Sequence, residues 1–172
     1  RGMVDDARAL LDNSHADLWV VQQDTLGPYA EPSSVADDAY RRILATPGVA
    51  QAANVTYLTM QVRTEGGDVR ALVVGVVPDG PGRPGQPPRL VAGRHLVADH
   101  YEAVADVSSG LRLGESVQIR RHRYTVVGLT QRMVSSGGDP MVFIPLKDAQ
   151  QAQFLKDNDT IVSDRNRTLA NP

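Results

Sequence analysis

The 172-residue chain contains no cysteine. Disulfide frameworks, thiolate metal sites and a cysteine nucleophile are thereby excluded. Aromatic residues make up only 5%, with Trp19 the single tryptophan, too few for a stacking platform that binds single-stranded nucleic acid. The formal net charge is −2, so no general field draws the chain toward nucleic acid or anionic lipid, and no nucleic-acid partner is expected. The longest nearly unbroken apolar run, Ala71 to Val77, is far short of the roughly 20 residues of a membrane helix. The opening residues carry no secretory signal pattern. The chain starts on Arg1, and the expectation is a piece of a longer protein whose membrane spans lie outside it.

What remains is an ordinary globular composition, 41% hydrophobic and 22% charged, in a chain long enough to bury one core, with room for two lobes. Val4, Ala7, Leu10 and Leu11 recur at helical spacing, which predicts a helix over residues 3–12. Residues 18–22 (LWVVQ) are compact and β-prone. After the Gly27-Pro28 turn and Pro32, Ser34 with Asp37 resembles a capping box. Ala36, Tyr40, Ile43 and Leu44 form the apolar stripe of a second helix that Pro47-Gly48 ends. The period then switches to two: Leu58, Met60 and Val62 alternate with polar residues. The turn Glu65-Gly66-Gly67-Asp68 leads back into a strand over 69–77, a hairpin. Residues 78–89 (PDGPGRPGQPPR) hold too many prolines for helix or ladder and read as an exposed connector. Strands are predicted over 102–107, 116–119, 124–129 and 141–144. Residues 120–123 would form a hairpin tip and 135–140 a mobile loop, and a helix follows Pro145 to about residue 156.

Few constellations suggest chemistry. Gly80-Pro81-Gly82-Arg83-Pro84-Gly85 matches G-x-G-x-x-G, but two prolines remove amide donors and Gln86-Pro87-Pro88 cannot open the helix that a pyrophosphate needs. His95, Asp99, His100 and Glu102 form the one metal-like group. Histidines five apart on a helix point roughly 140° apart and do not share an ion, so surface histidines beside a lobe junction are the plainer reading. Arg120-Arg121-His122-Arg123 is a basic run able to hold a phosphate or lipid headgroup, with a solvated turn as the plainer reading. No G-x-S-x-G elbow exists, and Asp5-Asp6 and Asp37-Asp38 fall in helix first turns, where they complement the dipole. Trp19 and Met60 read as core. No catalytic, cofactor-binding or metal-binding residue is assigned, the chain is not expected to be an enzyme, and its partner-binding residues stay unassigned.

The order of segments resembles the periplasmic core domain of MacB/FtsX-like ABC transporter permeases, in particular the DevC-like branch. The resemblance rests on Ala16 to Gln22 as first strand, followed by the Gly27-Pro28 turn and an SS-x-x-DD helix opening. Leu72 to Val76 before Pro78-Asp79-Gly80 and Leu90-Val91-Ala92-Gly93-Arg94 come next. It continues with Glu102-Ala103-Val104, Leu111-x-Leu113-Gly114-Glu115, Val117-x-Ile119, Tyr124 to Leu129 (with T-V-V-G) and Val142-Phe143-Ile144-Pro145-Leu146. The ending from Arg165 to Pro172 is similar to the lead-in to a following membrane region. Ala105-Asp106 departs from the pattern, standing where a more apolar strand is usual.

The resemblance implies an α+β fold of two lobes. Residues 1–12 would be a juxtamembrane helix, 13–89 with 146–160 a small αβ lobe, 90–145 a strand-rich lobe, and 161–172 a tail toward the next membrane helix. It implies a place on the periplasmic face of the inner membrane, within a permease dimer. ATP would be hydrolysed by a cytoplasmic ATPase subunit reached through the membrane part, so no cofactor is expected here. The implied work is docking a periplasmic adaptor (membrane-fusion) protein and coupling membrane-helix motion to export of a lipid-like or amphiphilic substrate. An extracytoplasmic ligand-sensing module is the alternative, and would need a concave apolar pocket.

Overall fold

A computed structural model of the chain describes residues 39–78 and 85–152. Its elements are helix α1 (Ala39–Leu44), strands β1 (Thr56–Thr64), β2 (Gly67–Val76), β3 (Leu90–Gly93) and β4 (Glu102–Asp106), a 3-10 turn at Val107–Ser109, and strands β5 (Ser116–Ile119), β6 (His122–Thr130) and β7 (Met141–Pro145). Helix α2 follows β7 directly, over residues 146–152. The earlier helix and strand expected over 3–12 and 18–22, the Ser34 cap and the tail beyond 152 lie outside the described residues.

The alternation on β1 and the Glu65-Gly66 turn form the expected hairpin, paired from Thr56↔Gly75 to Thr64↔Gly67. The hairpin is joined to strands from the second half of the chain. β2 pairs in parallel with β7 from Leu72↔Met141 to Val76↔Pro145, β7 pairs with β4, β4 with β6, β6 with β5, and β5 returns to β1 at Arg63↔Gln118. Six strands thus close into a ring, with β3 attached to the free upper part of β6. Among the described residues the sheet takes strands from both sides of residue 89. The domain is α+β, with a strand-rich, barrel-like lobe.

Closure explains the apolar run at 71–77. Ala71 and Val73 belong to the cluster inside the ring with Val62, Ala103, Ala105, Val117, Tyr124, Val126 and Val142. Leu72, Val74 and Val76 belong to a second cluster on the outer face, with Leu96, Val104, Met133, Met141 and Phe143. A strand covered on both faces shows no alternation. Small side chains dominate the inner cluster because a six-stranded ring leaves little internal space.

Parts of two expected loops are packed or hydrogen-bonded among the described residues. In the connector, Gly85, Gln86 and Pro87 are buried, and Gln86 Nε2 donates to the Val77 carbonyl at 2.6 Å. A side-chain donor thus satisfies the end of β2 where no strand can pair. Residues 135–140 form a hydrogen-bonded turn, with Ser135 N–H donating to Asp139 O at 2.8 Å and Asp139 N–H to Ser135 Oγ at 3.0 Å.

The departure at Ala105-Asp106 also finds its cause. Ala105 is buried inside the ring. Asp106, 1% exposed, accepts from Ser108 N–H (2.9 Å), Ser108 Oγ (2.7 Å) and Met133 N–H (2.9 Å). Its side-chain oxygens cap the 3-10 turn and tie residues 131–134 to the strand, so both oxygens of a buried polar group are hydrogen-bonded.

Candidate functional site

Register places Thr56, Val76, Pro145 and α2 at one end of the ring, so the chain enters and leaves the barrel on the same side. The loop of residues 94–101 and the β5–β6 turn lie at this end. The loop starts where Gly93 adopts φ 75°, conformational space open to glycine, and Arg94 N–H donates to Val127 O at 2.9 Å. A Cβ on Gly128 would strike the Arg94 carbonyl and Val104. The G-R and T-V-V-G motifs are therefore one packing unit.

From there Arg94 meets Glu102 through both guanidinium nitrogens, Nη1 to Oε2 at 3.1 Å and Nη2 to Oε1. Val97 and Ala98 N–H groups also donate to Glu102 Oε2, each at 3.1 Å. The Arg94 bond, with the two amides, outweighs the opposing effect of burial and lowers the Glu102 carboxyl to about 2. Arg94 is raised chiefly by the same bond.

A second carboxylate organises the end of the loop. Asp148 on α2, its side chain 2% exposed, faces His100 Nδ1 at 2.6 Å and accepts the Tyr101 N–H at 3.0 Å. Tyr101 has φ 62°, a left-handed conformation that is strained for a bulky side chain. Its ring is half exposed and stands 5.4 Å from His100, 5.2 Å from His122 and 6.1 Å from Tyr124. The Tyr124 phenol is pushed up, first by burial, then by the Asp148 and Tyr101 charges. Beside this row lies the basic turn. Ile119↔His122 pairing leaves Arg120-Arg121 as a two-residue loop, and Arg120 takes φ 56°.

The opposite end carries the Glu65-Gly66 turn and residues 110–115. They line an open groove of about 580 Å³, with Arg112, Leu113 and Glu115 among its walls. Val107 and Leu113 are nearly half exposed.

The metal-like group does not converge. Glu102 goes to Arg94, His100 to Asp148, and Asp99 lies 4.0 Å from Lys147. His95 has Nδ1 buried without a partner and its pKa lowered by burial. Among the described residues no three His, Cys, Asp or Glu could hold an ion together. The glycine-proline segment 79–84 and Trp19 lie outside the described residues. Asp148 escaped notice in the sequence, where it sits between Lys147 and Ala149 with nothing to mark it as buried. Asp106 stood out only as a departure from the expected strand pattern, a lone acid between Ala105 and Val107 and a weak signal of a buried anchor.

A closed α+β domain with a strand-rich lobe and flanking helices is the class this geometry defines. The family model of the MacB-like periplasmic core domain matches residues 1–167. The chain belongs to that family, as a MacB/FtsX-like extracytoplasmic domain of an ABC transporter permease. An uncharacterised ABC transporter permease of Mycobacterium tuberculosis, in strains CDC 1551 and H37Rv, is 28% identical over 150 residues, 87% of this chain. The chain spans 41% of the length of these relatives. In fold it is similar to the periplasmic region of MacB from Actinobacillus actinomycetemcomitans (TM-score 0.52, 12% identity, covering 73% of this chain and 63% of that one). It is likewise similar to the extracellular domain of the noncanonic transporter YknZ from Gram-positive bacteria (TM-score 0.52, 14% identity, 71% and 68%). Among the described residues no helix is long and apolar enough to cross a membrane.

Proposed function

We propose that this domain is a non-catalytic coupling and docking element of an exporter on the periplasmic face of the inner membrane. Its free end receives a periplasmic adaptor (membrane-fusion) protein. The end where the chain enters and leaves passes on the motion of the membrane helices, driven by a cytoplasmic ATPase subunit within a permease dimer. The exported class is lipid-like or amphiphilic, and the segment order favours the DevC-like branch.

The observation that carries this reading is the one-sided connection of a closed ring. Thr56 and Pro145 share one end, and the opposite rim, with exposed Val107 and Leu113, lies across the ring from both. A stiff closed body attached on one side suits the transfer of rigid-body motion, and exposed apolar side chains on its far rim suit a protein partner. Leu113→Asp in the intact transporter is expected to reduce adaptor capture in pull-downs by at least about tenfold, the scale of one interface anchor. Capture unchanged by this variant and by deletion of the domain would overturn the docking reading. Retained capture with loss of response to a small amphiphile would favour the sensing module.

A further inference from the structure

We infer that the connected end of the barrel is a membrane-contact surface, built around Tyr101 and the 120–123 turn, that takes anionic phosphate headgroups. The inference is independent of adaptor docking, which concerns the opposite rim. Three observations converge on it.

The first is backbone strain. Among the described residues, three non-glycine positions have positive φ, and two of them, Tyr101 and Arg120, lie at this end. A two-residue hairpin turn ordinarily takes glycine or asparagine at such a position. Here it holds arginine, and the sequence Arg120-Arg121-His122-Arg123 offers no turn-former at all. Strain of this kind persists only where the surroundings enforce it. At Tyr101 the enforcing group is the buried Asp148 carboxylate, which accepts its N–H.

The second is the chemistry presented. Tyr101 is 48% exposed and Val97 66% exposed. Arg121 is exposed on the neighbouring two-residue turn and Arg123 is exposed at the start of β6, on either side of His122, whose ring stands against Tyr101. An amphipathic aromatic ring and an aliphatic side chain beside cations form the set that partitions into a headgroup layer. The chain as a whole is slightly acidic, so this concentration of arginine is local. Guanidinium groups pair with phosphate through forked hydrogen bonds.

The third is orientation. The surface shares its end with Thr56 and α2, where the chain enters and leaves the ring. This end of the ring is taken as the one that faces the membrane.

The test is cosedimentation of the 172-residue chain with vesicles of pure phosphatidylglycerol or pure phosphatidylcholine. Binding is expected to favour phosphatidylglycerol and to weaken as salt rises. The double variant Arg121→Gln/Arg123→Gln is expected to bind phosphatidylglycerol roughly 20-fold more weakly, near 5-fold per arginine. Tyr101→Asn, which keeps a residue at home in left-handed space, is expected to weaken binding to both vesicles. Arg63→Gln/Arg70→Gln removes the same charge elsewhere on the hairpin β1–β2 and is expected to bind as the parent does. Equal binding to the two vesicles would overturn the inference. So would equal losses in the two double variants, which would mean that only net charge counts. Unchanged vesicle binding in the Arg121/Arg123 variant, with adaptor capture lost instead, would assign the patch to an acidic protein surface.

Discussion

Glu102 is the residue on which the 94–101 loop depends. One carboxylate gathers a guanidinium and two consecutive backbone amides, so replacing it leaves the Val97 and Ala98 donors without their acceptor. Glu102→Gln keeps the shape but loses the charge. It is expected to lower stability at neutral pH by about 1–2 kcal/mol, discounted because Arg94 is half exposed. The pH dependence has a definite sign. The folded pKa is depressed from 4.5 to about 2, so the charged-form stabilisation is complete above pH 4.5 and disappears as pH falls toward 2. Urea midpoints of parent and variant should therefore converge between those limits, and a gap constant across the window would show that Glu102 acts through shape alone. His95 adds in the same direction. Burial lowers its pKa, so protonating the unfolded chain below about pH 6.5 favours unfolding. Sequence could not foresee these pairings. Arg94 and Glu102 lie eight residues apart, and His100 and Asp148 lie forty-eight apart. Spacing brought His95, Asp99, His100 and Glu102 together as a group, and folding sent three of the four to different partners.

At the scale of elements, legibility follows burial. β1 alternates because one face is covered, with Leu58 and Val62 buried and Thr59, Gln61 and Arg63 exposed. Its turn residues completed the hairpin signal. β4 and β7 are buried almost throughout, so period could locate them but could not say what they pair with. The helix after β7 was legible from the Pro145 boundary, yet its seat was not. α2 lies against β2 at Gly75, where an added Cβ would overlap the Ala149 methyl and crowd Leu146. That contact requires a hydrogen in place of a side chain. Gly75→Ala is expected to destabilise by about 1–3 kcal/mol, the usual cost of overpacking. Pairing it with Ala149→Gly should recover part of the loss in thermal unfolding, after allowing for glycine's cost in a helix. Losses that simply add would mean that α2 sits elsewhere.

At the scale of the molecule, ring closure decides what counts as a unit. The proline-rich segment 78–89 marked the expected boundary between lobes, a sound inference from composition because such segments commonly join domains. Among the described residues, strands from both sides of it pair in one sheet. β7 lies between β2 and β4, with Leu72↔Met141 on one side and Val104↔Phe143 on the other. β5 closes against β1. A chain of residues 90–172 alone would lose both neighbours from the first half, exposing the edge of β7 and the apolar faces of Val142 and Ile144. Exposed edges and a halved core leave too little burial to offset chain entropy. This piece is therefore expected to show no cooperative thermal transition, with fast amide exchange at Val104 and Phe143. Adding residues 49–78 as a separate peptide is expected to restore both, because the hairpin supplies the missing partners. A cooperative transition and slow exchange in residues 90–172 alone would mean that the strand-rich lobe is independent and that the hairpin merely leans on it. Under the closed ring, force applied where the chain enters and leaves is carried by the whole barrel to its far rim. Under an independent lobe, the hairpin could move by itself and coupling between the two ends would be lost.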